Sequence, residues 1–155
     1  MPGYVHKALK KFQHPVPYRP QYAPHQWTHP VFSAKTQFSK DPGTSDKLTV
    51  DGTRRKQQIN GTFLYYGRVV DPLILVALNE ISTKQASPTT ATDKKAAMLM
   101  DYVCTFPNAT LWFYARDMQL CVESNAAYLV LPKARSRLAG HFYLNTHNVK
   151  IAVLD

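Results

Sequence analysis

Apolar positions repeat at helical intervals in four stretches of the chain and at strand intervals in its last third. Tyr4, Val5, Ala8, Leu9 and Phe12 share one face of a short helix, with Lys7, Lys10 and Lys11 on the other. A helix of about nine residues is marginal alone in water, so this one needs a surface to pack on. From Gln13 to Gly52 six prolines (Pro15, Pro17, Pro20, Pro24, Pro30 and Pro42) interrupt any period, and aromatic residues are scattered between them. That pattern predicts an extended arm that wraps a neighbouring domain or stays disordered without one.

Regular structure resumes near Arg54. Ile59, Phe63, Tyr66 and Val70 predict a helix over Gln57 to Val70, which Gly61 and Gly67 weaken by about 1 kcal/mol each unless they permit close packing. Asp71-Pro72 is an N-cap with proline at the first helical position, and Leu73, Val76, Ala77 and Ile81 supply the apolar stripe of a helix to about Gln85. Thr90 and Asp93 resemble a capping box, and Ala96, Leu99, Met100 and Val103 carry a further helix to Thr105, where Phe106-Pro107-Asn108 stops it. The period then changes to two. Leu111 to Tyr114, a turn at Arg116-Asp117, and Met118, Leu120 and Val122 predict a hairpin. A basic loop from Lys133 to Arg137 follows, then short strands His141 to Leu144 and Val149 to Leu154.

The class is therefore α+β: a basic proline-rich N-terminal arm, about three helices after it, and an incomplete antiparallel sheet. The segments fall at residues 1–12, 13–53, 54–106 and 107–155. Charge sharpens this picture. The net charge is +9, and residues 1 to 56 hold ten Lys or Arg against three Asp. Such an excess attracts phosphate chains and anionic surfaces, and it equally serves solubility. The Arg54, Arg55 and Lys56 cluster is read as a solubility feature. Lys133, Arg135, Arg137 and His141 are the candidate phosphate contacts, against the simpler reading of a solvated turn.

Other chemistry is sparse. His14, His25 and His29 lie in the arm without Cys or carboxylate at ligand spacing, a weak metal signal. Cys104 and Cys121 are too few for a disulfide scaffold and too far apart for a zinc knuckle, so they are expected to be reduced packing residues. No run approaches the roughly 18 apolar residues needed to cross a bilayer, and no secretion core follows the basic start. An intracellular protein, cytoplasmic or nuclear, is expected, with the two glycosylation sequons at Asn60 and Asn108 meaningless.

Several strings resemble one family in order. Met1-Pro-Gly-Tyr-Val5 with Ala8-Leu9 and Phe12 is similar to the segment after the polymerase core in copia-like LTR retrotransposon polyproteins. Gly61-Thr-Phe-Leu-Tyr-Tyr66, Arg68 to Pro72 and Leu78-Asn79 resemble that family's helical pair. Glu123-Ser-Asn-Ala-Ala-Tyr128, Lys133 to Arg137 and Gly140-His-Phe look like the opening of its RNase H-like domain. The resemblance implies a fragment spanning the post-polymerase connection and the first RNase H-like strands. The family's Tyr-x-Asp-Asp polymerase hairpin does not occur here.

The family's RNase H chemistry uses carboxylates that clamp two magnesium ions. Its first-strand aspartate matches Asn125, whose neutral amide is a poor ligand for a hard cation. Glu123, two residues earlier on the same side of a strand, could restore one contact. The chain ends at Asp155, before the remaining carboxylates. The resemblance thus implies a degenerate fragment without independent catalysis, with no cofactor of its own, and with an RNA–DNA hybrid or an intact element polyprotein as partner. The alternative is a small basic nucleic-acid- or partner-binding module; an active nuclease is disfavoured. An incomplete sheet would leave strand edges and an apolar face open, so a marginal isolated chain is expected.

Overall fold

A computed structural model of the chain describes residues 1–27, 45–112, 114–131 and 135–146. It holds four α-helices, one 3-10 turn and a two-stranded antiparallel sheet, a mixed α+β arrangement. Contacts divide it into a helical unit, with described residues from 1–27 and 45–111, and a hairpin unit from residue 112 onward.

In the helical unit α1 spans Tyr4–Lys11 and buries Val5, Ala8, Leu9 and the following Phe12, the face its periodicity predicts. Its first residue locks it onto the long helix α2 (Val50–Val69). The Tyr4 hydroxyl donates to the Thr62 carbonyl at 3.0 Å, and its ring stacks on Tyr66 at 5.5 Å. Helix α2 starts earlier than Gln57. Thr49 caps it by accepting from the Gly52 amide, and the first turns carry no buried apolar residue, so hydrophobic period could not reveal them.

The next turn follows its sequence signal and then departs from it. Asp71 accepts from the Leu73 amide at 3.2 Å as the N-cap ahead of Pro72. A 3-10 turn, Pro72–Ile74, then precedes helix α3 (Leu75–Ser82). Tightening to three residues per turn rotates the face by about one position. Ile74, Ala77, Leu78 and Ile81 are buried, whereas the expected Leu73 and Val76 stand 67% and 48% exposed.

Helix α4 (Thr90–Thr105) buries Ala96, Leu99, Met100 and Val103 as its spacing predicts. Its capping box is Thr89 with Thr92 rather than Thr90 with Asp93. The shift has a tertiary cause. Leu48 donates to the Pro88 carbonyl and Thr90 to the Asp46 carbonyl, both at 2.9 Å, holding Thr89 extended against Lys47. With Ile59, Phe63 and Tyr66 of α2 these residues form one core, shared by α1 and by half-buried Cys104. The expected marginal chain thus contains a contiguous helical core.

Residues 13–27 form no helix or strand, and part of the stretch meets α4. His14 Nε2 lies 2.7 Å from Asp101 Oδ1, the Gln21 amide donates to Thr105 Oγ1 at 3.0 Å, and Tyr22 tilts against Phe106 at 6.1 Å.

In the second unit, strand β1 (Gln119–Leu131) pairs antiparallel with β2 (Arg135–Asn145). The predicted hairpin about Arg116-Asp117 is corrected: Leu111, Trp112 and residues 114–118 are outside any strand, and β1 begins only after Met118 at φ 57°. The basic loop is also corrected, because Arg135 to Arg137 already belong to β2. Lys133 and the expected Val149 to Leu154 strand lie outside the described residues. The period-two signal in fact runs on through Ser124 and Ala126, where small and polar side chains disguise it, and resumes in Leu138, Gly140, Phe142 and Leu144.

Candidate functional site

Two surfaces gather ionisable groups, one in each unit. In the helical unit the C-terminal end of α1 meets the N-terminal turns of α2 around the buried Phe12 ring. Arg55 donates to the Phe12 carbonyl, its guanidinium carbon lies 5.9 Å from the ring centroid, and Lys11 Nζ lies 5.4 Å from the same centroid. Lys11, Phe12, Asp51, Arg54, Arg55 and Gln58 line a shallow hollow of about 200 Å³. Three cations thus share the hollow with one carboxylate.

The electrostatics of that arrangement are lopsided. Lys10 and Lys11 suit the negative end of α1, and Asp51 suits the positive end of α2. Arg54 and Arg55 do not suit that end, and they face Lys11 across the hollow. An anion placed there would relieve both repulsions.

The Arg54 to Lys56 cluster needs a second correction. Read from sequence as a solubility feature, it splits into three roles. Arg55 ties α2 to the end of α1, and Lys56, only 5% exposed, forms an ion pair with Asp93 of α4. Arg54 and Arg55 are both exposed and both line the hollow, and only Lys56 is withdrawn from it. The period of α2 gave the signal: Lys56 falls three residues before Ile59 and seven before Phe63, on the buried face.

The second surface is the polar face of the hairpin. Glu123 pairs across the ladder with His141, Asn125 with Ala139, and Ala127 with Arg137, so four of the sequence-selected residues, Glu123, Asn125, Arg137 and His141, occupy one face. The Tyr143 hydroxyl donates to Glu123 Oε1 at 2.8 Å, and the His141 ring stacks on Tyr143 at 4.8 Å with its Nδ1 4.0 Å from Glu123 Oε2. The hydrogen bond to Glu123 pushes the Tyr143 phenol pKa up, so the phenol stays protonated. Arg135 opens β2 opposite Leu131.

Glu123, Asn125 and His141 are exposed on this face, Arg137 and Tyr143 are half-buried, and Asn145 at its far end is buried and accepts from Arg116 at 2.7 Å. Glu123 already accepts from Tyr143, and Asn125 supplies only an amide. Among the described residues, no three His, Cys, Asp or Glu gather as a metal site would require. His14 is paired with Asp101, His25 sits beside Glu80 and Lys94 at a smaller hollow, and His29 lies outside the described residues. Among the described residues, no helix is long and apolar enough to cross a membrane. Comparison of the chain with protein-family models, with curated proteins and with solved structures finds no match.

Proposed function

We propose that this chain is a small basic module that binds nucleic-acid phosphate and performs no chemistry on it. The observation that carries the reading is the hollow at Phe12, where Lys11, Arg54 and Arg55 converge with Asp51 as their one acidic neighbour. Binding there is electrostatic, so it tracks the backbone of a nucleic acid rather than its sequence. The exposed Lys7 and Lys10 on the outer face of α1 extend the positive surface beyond the hollow.

A copia-like ancestry is the second part of this proposal. It is supported by the order of the family-like strings along the chain and by the grouping of Glu123, Asn125, Arg137 and His141 on one face, where an ancestral hybrid-processing strand would present them. Flanking DNA that encodes a Tyr-x-Asp-Asp hairpin upstream and further RNase H-like strands downstream is the expected genomic context.

The deciding experiment is an anisotropy titration with a labelled RNA–DNA hybrid and a labelled single strand, at two salt concentrations and with or without magnesium. Binding should weaken with salt, and Lys11→Glu with Arg54→Glu should lower the logarithmic salt slope by about 0.7–0.9 for each phosphate that the variant no longer neutralises. Circular dichroism should show the same helix content in the variant, since neither side chain is buried. A folded chain that fails to bind, or a variant with unchanged slope, overturns the site. Magnesium-dependent cleavage overturns the absence of catalysis.

A further inference from the structure

The other face of the hairpin has no ionisable group along its regular ladder. Leu120 faces Leu144, Val122 faces Phe142, Ser124 faces Gly140, and Ala126 faces Leu138. The side chains stand open: Leu138 is 76% exposed and Phe142 67%. At the centre the Phe142 ring leans over Gly140, where an added Cβ would lie 3.0 Å from Cε2, so the ring fills the notch that a glycine would otherwise leave. The result is an apolar strip on a hairpin whose other side carries Glu123, Arg137 and His141.

From this face we infer that the chain self-associates, two copies packing their hairpins face to face about a two-fold axis. A two-stranded hairpin is marginal in water unless its apolar side is covered. At their observed exposures Leu120, Val122, Leu138, Phe142 and Leu144 leave roughly 600 Å² open, already at the upper end of what monomers tolerate. That area supplies most of the ~800 Å² per partner of a standard interface.

Charge selects the occupant. The chain carries +9 overall, which opposes contact between copies through most of the surface. Across this strip two copies meet without like charges along the regular ladder, and a nucleic acid finds no cation to hold. Two such strips can stack as sheets do, at about 10 Å with interdigitated side chains, and one isologous contact closes the assembly at two.

The test is the molar mass of the nuclease-treated full chain by sedimentation equilibrium up to about 100 μM, where mass action reveals a weak dimer. The expected result is a monomer–dimer equilibrium. Leu138→Asp and Phe142→Asp should each raise its dissociation constant on the order of 100-fold. Leu138→Ile, which keeps an apolar side chain, and Asn125→Asp on the opposite face should leave it nearly unchanged. A chain that stays monomeric overturns the inference, as do open-ended oligomers, a dimer that survives both aspartate variants, and an Asn125→Asp variant that dissociates as far as they do. The readout is independent of nucleic acid, so failure of the phosphate site and failure of the dimer are separately visible.

Discussion

At the scale of single residues, Gly61 and Gly67 of α2 carry opposite consequences. A Cβ built on Gly61 meets nothing within 4 Å, whereas one on Gly67 would lie 3.0 Å from Leu75 Cδ2 and 3.1 Å from Ile74 Cγ1. Gly61→Ala should therefore stabilise the chain by up to about 1 kcal/mol, the ordinary gain of alanine over glycine in a helix. Gly67→Ala should cost about 1–3 kcal/mol, because the 3-10 turn must move away from α2. Urea titrations of the two variants decide the matter, and equal shifts would refute the packing role of Gly67. Sequence marked both positions as helix-weakening and named close packing as the exception; only the path of the Pro72–Ile74 turn shows to which glycine the exception belongs.

Asp71 supplies the pH dependence at the same scale. Burial pushes its carboxyl up from the ordinary 3.8, against a smaller lowering by the Leu73 amide. A group whose folded pKa is raised binds its proton more tightly folded than unfolded. Its contribution to stability is complete below the unfolded value and is lost as pH rises through the folded value. Asp71→Asn keeps an acceptor for the Leu73 amide and removes the titration. The variant should gain stability over the parent at pH 7 and lose that advantage near pH 3, as thermal melts across this range would show. A variant with no pH-dependent advantage would place the carboxylate in water.

The helices show best what could be read in advance. In α1 and α4 the buried positions follow the apolar spacing, because a helix packed on one core exposes its period directly. The misplaced features were each set by something outside the local string. A 3-10 turn rotated the face of α3, a bridge from Lys47 moved the cap of α4 to Thr89, and side-chain capping at Thr49 started α2 before its apolar stripe. The hollow at Phe12 stayed hidden for the same reason, since residues 43 apart in sequence build it. The hairpin register escaped because Ser124, Ala126 and Gly140 keep a period of two without apolar bulk. Cap chemistry is testable in α4: Thr89→Ala removes the acceptor for the third helical amide and should cost about 1 kcal/mol, and Thr89→Ser should cost far less. Denaturant midpoints at unchanged slope would check it, and equal losses in the two variants would sink the cap.

For the whole molecule, the contrast between the units predicts how amide protons exchange. Ile59, Phe63, Leu99 and Val103 lie in a core built by four helices, so their amides should open only with global unfolding of that unit. The ladder from Gln119 to Asn145 has two strands and no third to pair its outer edges among the described residues. Its intrinsic protection should be low, because a lone hairpin gains too little from one ladder to offset the ordering of its backbone. Covering the apolar strip with a second copy changes that balance by mass action. Exchange measured at a low and a high protein concentration should thus leave α2 and α4 unaffected and slow the amides of Val122, Ser124 and Leu138 at the higher one. Hairpin amides protected equally at both concentrations would mean that the hairpin is stabilised within a single chain, and the apolar strip would then lose its role as the contact between copies.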